Sequence, residues 1–536
     1  MALEEDDIFK ESDIPLGEDE DEEMEEEEEE LNSLEKVNEP EHENEDEDME
    51  EDEEQEQQQE QEQGADDEED EEENDVDGTR DTADSPATSV STKEVVIDDE
   101  AAKHQAFYNS LIMKASLADS YDIVPKVAIP HATGINCFAL PKTSKWLFTG
   151  GEDGFIRKYD FFASIDGEIQ LTSAQRHSLV DLITNAGVLL AYWDNEIPVK
   201  RSSIKGDTYE PKLSPVYSLA VENNCLWLLG GLSTGGINLQ SIRHNEGRIV
   251  HHFKGHSNSV SVLQLNQRQD QFLSGSWDNN IIQWDLNTGN QIANFKDSTG
   301  QISSIQYRPS GGISLDQAQQ AQPDDDDMDS LFGDDDDDDD NRNNVTDKPK
   351  ENNQPGDPQS EVDENVFLSS SVDGSLYVWD VRTHKHVLRL KPPKGTPPWC
   401  VSACWSYDGN SIFAGRRNSC VEEFSLKMPF NSSGDPTPAR TLKFPSVSGA
   451  VTAVSALPNH NHVVCGSYDN IRIYDLRLHS DSQKKTPFLI VPGHHGGTVC
   501  DIMFDPTYRY MISASGNRGW QGSSIESAFV YEVGIE

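Results

Sequence analysis

A histidine, two serines and an aspartate that could form a hydrolytic triad fall within one short stretch of this 536-residue chain: His256, then Ser274 or Ser276, then Asp278, with Trp284 and Asp285 closing it. In a triad the imidazole takes the serine proton while the carboxylate orients the ring. Recurrence argues against that chemistry. Aspartates stand at the equivalent turn elsewhere, as Asp153, Asp373 and Asp469. A catalytic group needs to occur once, in a cleft, whereas a group that staples a repeated unit recurs. The set is therefore read as a structural hydrogen-bonding network. His494 and His495, in GHHGG, invite a metal reading, but they stand where the first stretch has Gly255-His256, and His494 is read as its worn equivalent. Cys400 and Cys404 form the one close cysteine pair, with no second pair or His-x-His at ligand spacing, so zinc is not expected. The other five cysteines sit mostly in apolar runs and are expected to be buried, reduced thiols. No phosphate loop or HExxH occurs. Neither an enzyme nor a cofactor is expected.

The elements that must position these residues show in Gly255 to Leu286 itself. It carries three alternating apolar runs separated by turn residues, the pattern of three antiparallel strands with one buried face. That is one blade of a WD40 β-propeller. Alignment on it finds seven units. They start near Gly134, Pro215, Gly255, Gln301, Trp399, Ala450 and Gly493, and the fourth breaks off and resumes at Val366. The fold expected is all-β, a seven-bladed WD40 propeller over 121–536. A ring of repeats leaves its last blade without an outer strand, and the lone strand near Val124 to Ile129 is expected to close it and remove the open edges.

Charge separates the remaining segments. The chain carries a net charge of −60, yet residues 1–100 hold 50 acidic against 4 basic residues and residues 310–363 hold 18 against 3. What remains is about neutral. Residues 1–97 read as a disordered acidic tail and 310–363 as a disordered acidic loop in blade 4, since neither has the apolar content to offset ordering. Within that loop, Met328, Leu331 and Phe332 alone stand ready to pack. From 98 to 120 the spacing of Phe107, Tyr108, Leu111, Ile112, Ala115 and Ala118 predicts an amphipathic helix capped by Asp98 or Asp99, packed on its own propeller or on a partner. The insertion at 161–214 reads as partly helical over Arg176 to Tyr192, a lid or a docking arm. The acidic N-terminus does not suit a signal peptide, and no apolar run reaches membrane-spanning length.

Function is expected where a unit departs from the template. At the turn between second and third strands, unit five has Arg416 and Arg417 where unit three has Ser276 and Trp277, and unit seven has an enlarged loop with Arg518 and Trp520. Arginine and tryptophan dominate protein interfaces, so these four, with Trp277, are candidate partner contacts. Arg416 has an alternative, pointing inward onto the blade backbone. A near-neutral propeller with acidic appendages would be repelled by phosphates, so no direct contact with nucleic acid is expected. A basic protein partner suits the charge better.

The chain also resembles a known family. The stretches ADSYDIVPKVAIP, GGEDGFIRKYD, NAGVLLAYWDNEIP, FLSGSWDNNIIQWDL, DDDMDSLFGD, PPWCVSACW, AGRRNSCVEEFSLKMP, FLIVPGHHGG and SGNRGWQG look like those of the suppressor-of-Ty WD-repeat subunits of the SAGA transcription coactivator. The similarity covers about residues 105–536. It implies a nuclear, non-catalytic subunit, one copy per complex, that contacts other SAGA subunits and the TATA-binding protein and helps SAGA load or withhold that protein at promoters. The TATA-binding protein presents a basic surface bearing phenylalanine wedges, which the aspartates around Met328, Leu331 and Phe332 would suit. The rival reading from the same acid is a histone-binding, chaperone-like scaffold.

Overall fold

The computed structural model describes residues 91–177, 179–199, 210–315, 362–468, 470–479, 486–494, 496–517 and 524–535, with side chains from 103 onward. The acidic tail and all but the two ends of the acidic insertion lie outside those residues. So do Lys200 to Lys205, Asp469, His495, Arg518, Trp520, Met328, Leu331 and Phe332.

The strands assemble into seven sheets, each one blade of a closed propeller. The template stretch forms blade 3: β11 (Val260–Leu265), β12 (Gln271–Ser276), β13 (Ile281–Asp285) and an outer β14 (Gln291–Phe295) that follows the Trp-Asp pair. The chain reverses between β12 and β13 at a position with positive φ. Asn279 sits there at 67°, while blades 1, 2 and 4 use Gly154, Gly235 and Gly374 at 83°, 88° and 88°. Glycine takes this left-handed backbone without steric cost, and asparagine tolerates it.

No single core fills the ring. Buried side chains form seven clusters, one between each pair of neighbouring blades. Between blades 2 and 3, for instance, Phe253 and Phe272 sandwich against Trp284 with ring centroids 5.4 and 6.0 Å away. A second ring lies nearer the axis, where inner-strand side chains bond the backbone of the next blade. Ser218 donates to the Val260 carbonyl at 2.9 Å, Ser261 to Ile302 at 2.6 Å, Ser303 to Cys400 at 2.7 Å and Thr452 to Val499 at 2.6 Å. Between blades 5 and 6 the sense reverses, Ser402 accepting from the Val454 amide at 3.1 Å. Blade 1 is held on both sides by thiols, Cys500 to Ile135 at 3.0 Å and Cys137 to Val216 at 3.4 Å. All seven cysteines are buried and unbridged, and burial pushes the Cys400 and Cys404 thiols up to about 11 and about 12.

Closure follows the expected route. Strand β1 (Tyr121–Pro130) pairs antiparallel with the final strand β29 (Ser527–Ile535) and completes blade 7. A short strand, β5 (Asn185–Ala186), then covers the outer side of β1.

Three expectations are corrected. The helix expected over Arg176 to Tyr192 does not form: Arg176 is only the last residue of a one-turn helix, and 179–192 are not helical. Among the described residues of the insertion helix is confined to α2 (Phe161–Asp166) and α3 (Ser173–Arg176), and Val188–Asp194 becomes β6, the outer strand of blade 1. Blade 1 needs a fourth strand, and pairing with β4 (Phe155–Asp160) outweighs the apolar spacing. The N-terminal helix, α1, spans Ser91–Ser116 rather than 98–120. Its end is set by propeller groups that take the next carbonyls, Asn459 bonding Ala118 at 3.0 Å and Arg477 bonding Asp119 at 2.7 Å. The apolar face is narrower than expected. Ala115 and Ala118 are buried and Tyr108, Leu111 and Ile112 half-buried, but Phe107 is 63% exposed. The acidic insertion is two residues shorter than 310–363, because β15 (Ile302–Pro309) pairs with a β16 (Val362–Ser371) that already starts at Val362.

Candidate functional site: the turn face of the propeller

In blade 3 the triad-like residues form a relay from strand to turn. The Trp284 indole donates to Ser274 Oγ at 2.8 Å, Ser274 meets His256 Nε2 at 2.8 Å, and His256 Nδ1 meets Asp278 at 3.1 Å. Asp278 also accepts the Ser257 and Asn280 amides. His256 and Ser274 are buried, so the serine hydroxyl has no cleft to face. The choice between the two serines is settled: Ser274 joins the relay, while Ser276 bonds the Asn258 carbonyl at 2.9 Å.

Other blades repeat the plan with substitutions. Blade 4 pairs Trp379 with Ser369 at 2.8 Å, and Asp373 accepts from Thr299 and from the Ser375 amide. Blade 1 uses His131, which meets Thr149 at 3.3 Å and Tyr159 at 3.2 Å, while Asp153 binds Arg157 and the Phe155 amide. His131, Thr299 and Tyr159 escaped the sequence reading. The available signal for His131 was a histidine three residues before Gly134, displaced from the Gly-His spacing of the template. His494 stands in the corresponding connector, with Nε2 donating to the Gly497 carbonyl at 2.7 Å. Asp285 pins the following turn through the Asn287 amide at 2.9 Å, as Asp380 does through Arg382 and Asp475 through Arg477.

Burial pushes the Asp278 carboxyl up, but the His256 bond and the Ser257 amide outweigh it and hold it at about 2. A depressed carboxylate contributes stability that is complete above about pH 4 and lost as pH falls towards 2. Asp278→Asn is expected to cost on the order of 1 kcal/mol at pH 7 after allowance for solvent screening. Denaturant melts at pH 7 and pH 2 check this, the gap between variant and parent closing at the lower pH.

The candidate partner residues Trp277, Arg416 and Arg417 stand in turns between second and third strands, on one face of the ring. Its two sides are set by hydrogen bonds between turns and inter-blade connectors, such as the Trp277 amide on the Ser259 carbonyl at 3.0 Å. Trp277 is half-buried beside Tyr217, with centroids 5.1 Å apart. Arg417 is exposed. Arg416 is not a surface contact, which corrects the expectation in favour of its alternative. Its guanidinium is fully buried, donating to Glu422 at 2.7 Å and to the Gly374 carbonyl of blade 4 at 2.6 Å. Two residues that the sequence reading missed join Arg417. Val447, 84% exposed, lies in the blade 5 to 6 connector that Ser419 reaches through Ser446, and Tyr468, 40% exposed, bonds that connector at Ser448. Among the described residues the face thus carries Arg417 in the blade 5 turn, Val447 in the blade 5 to 6 connector, Tyr468 in the blade 6 turn, and the Trp277–Tyr217 pair on blades 3 and 2.

Comparison with known proteins places this geometry. The family model described as the SPT8 beta propeller matches residues 121–534. The chain belongs to the SPT8 family. It is 42% identical over 493 residues to the SAGA complex subunit SPT8 of Saccharomyces cerevisiae, covering 86% of this chain and 80% of that protein. It is 44% identical over 449 residues to the SAGA complex subunit Spt8 of Schizosaccharomyces pombe, covering 79% and 81%. A more distant similarity, 21% over 182 residues, links 32% of the chain to 52% of the small ribosomal subunit protein RACK1 of Caenorhabditis elegans. The match to the SPT8 family begins at β1 and ends within β29, so it spans the closed ring.

Proposed function

We propose that this chain is a non-catalytic scaffold subunit of a nuclear SAGA-type coactivator, and that its propeller binds the TATA-binding protein and regulates its delivery to promoters. The observation that carries this reading is the 42 and 44% identity, over most of the chain, to two proteins named as SAGA complex subunits. The non-catalytic part rests on the fate of the triad-like residues, which are buried and spent on holding a blade together. For the partner, the turn face offers Arg417, Val447, Tyr468 and the Trp277–Tyr217 pair, side chains of the kind that anchor interfaces.

Affinity purification of the tagged chain from nuclear extract, followed by mass spectrometry, tests the assembly. The expected result is a stoichiometric set of SAGA subunits. Recovery of free histones without those subunits would favour the chaperone-like reading and contradict the scaffold.

A further inference from the structure

Helix α1 has more apolar surface than its own propeller uses. Tyr108 and Ile112 line one mouth of the central channel, a space of about 890 Å³ among the inner strands. A single apolar face of this kind is enough to seat a helix on its own domain. Yet Phe107 and Met113 of α1, with Leu117 in the turn that follows it, are 63, 62 and 70% exposed. Exposed Lys103, His104 and Lys114 flank them, and residues 101–118 contain no acid. Glu94, Asp98, Asp99 and Glu100 stand in the first ten residues of α1 and Asp119 lies just beyond it, so in a chain of net charge −60 the basic and apolar strip is confined to 101–118. Exposed patches of this composition mark docking surfaces.

The chain itself contains a segment of complementary chemistry. Residues Asp324 to Asp340 read DDDDMDSLFGDDDDDDD, three apolar side chains between runs of aspartate. The described chain stops at Leu315 and resumes at Val362, and Pro309, Ser310 and Val362 line the same channel as Tyr108 and Ile112. Both ends of the insertion are therefore at the face on which α1 sits. From Leu315 to Met328 the chain can reach roughly 40 Å, longer than the ~21 Å that residues 103–116 occupy as helix. A tether this short sets an effective concentration in the millimolar range.

We propose that Met328, Leu331 and Phe332 of the acidic insertion dock on Phe107 and Met113 of α1 and on Leu117 just after it, with the flanking aspartates around Lys103 and Lys114. The apolar trio supplies the anchor and the aspartates the orientation. This docking is independent of what the turn face binds, because α1 lies over the channel mouth formed by the opposite loops.

Zero-length carbodiimide coupling of carboxylates to lysines in the full-length chain, read by mass spectrometry, tests the proposal. Lys103 and Lys114 are expected to couple to aspartates 324–340 within one molecule. The full-length variants L331S/F332S and, separately, F107S/M113S/L117S should lower that yield about tenfold, the equivalent of ~1.4 kcal/mol, with the melting curve unchanged. Undiminished coupling in both variants would reduce the contact to charge alone and overturn the proposal. So would coupling between differently labelled copies, or no coupling at all. Affinity for the TATA-binding protein, measured on the same samples, reports separately on the function proposed above.

Discussion

A chain that begins at residue 131, and so lacks β1, will not unfold in one cooperative transition. Strand β1 supplies the outer strand of blade 7, and its Tyr121, Ile123, Val127, Ala128 and Ile129 are all buried. Burying such side chains is worth about 1.5–3 kcal/mol each for the larger ones, on the order of 10 kcal/mol together. Whole domains are stable by about 5–15 kcal/mol, so the loss is of the size of the entire margin. Removal also opens the edge of β29 and strips β5 of its partner. The point variant V127D/I129D should act in the same direction, because both side chains are at most 1% exposed in the cluster that joins blade 7 to blade 1. Circular dichroism during thermal denaturation measures this, and a single transition at the parent temperature would contradict the closure account.

Arg416→Ala is expected to destabilise the protein by about 3–5 kcal/mol, because it leaves the Glu422 carboxylate buried without its partner. Glu422 is 4% exposed and Arg416 fully buried, and the arginine also ties blade 5 to the Gly374 turn of blade 4. Arg417→Ala, one residue on, should change stability by less than about 0.5 kcal/mol, as exposed positions generally do. Replacing both members with apolar groups, R416M/E422L, should recover much of the loss, since the penalty comes from stranding one charge. Urea denaturation of the three variants measures the contrast. Equal midpoints for R416A and R417A would show that the buried pair does not hold the blade.

The two neighbouring arginines also show where sequence reading stops. Their position in the turn was legible from alignment with Ser276 and Trp277. Which of them points inward is decided by a carboxylate six residues later and a carbonyl in another blade, and neither leaves a pattern in the sequence. The propeller, its seven units and its closing strand were legible because blade 3 keeps every polar group of its relay at standard spacing. Blade 1 keeps the chemistry and loses the spacing, with His131 and Tyr159 standing in for histidine and tryptophan, so its relay was missed. Strand β6 was misread as helix because an outer strand has Leu189, Leu190 and Tyr192 exposed, which removes the alternation that marks a half-buried strand. Val447 and Tyr468 gave no signal, since a single exposed apolar residue is ordinary until the fold places it on the same face as Arg417.

The most direct measurement is titration of the purified full-length chain with TATA-binding protein, comparing the parent with R417A/W520A at physiological salt. A docking face on the turn side predicts affinity weakened about tenfold or more, the loss expected from a pair of interface anchors, alongside an unchanged melting temperature. Equal affinity in parent and variant, with both folded, would contradict it.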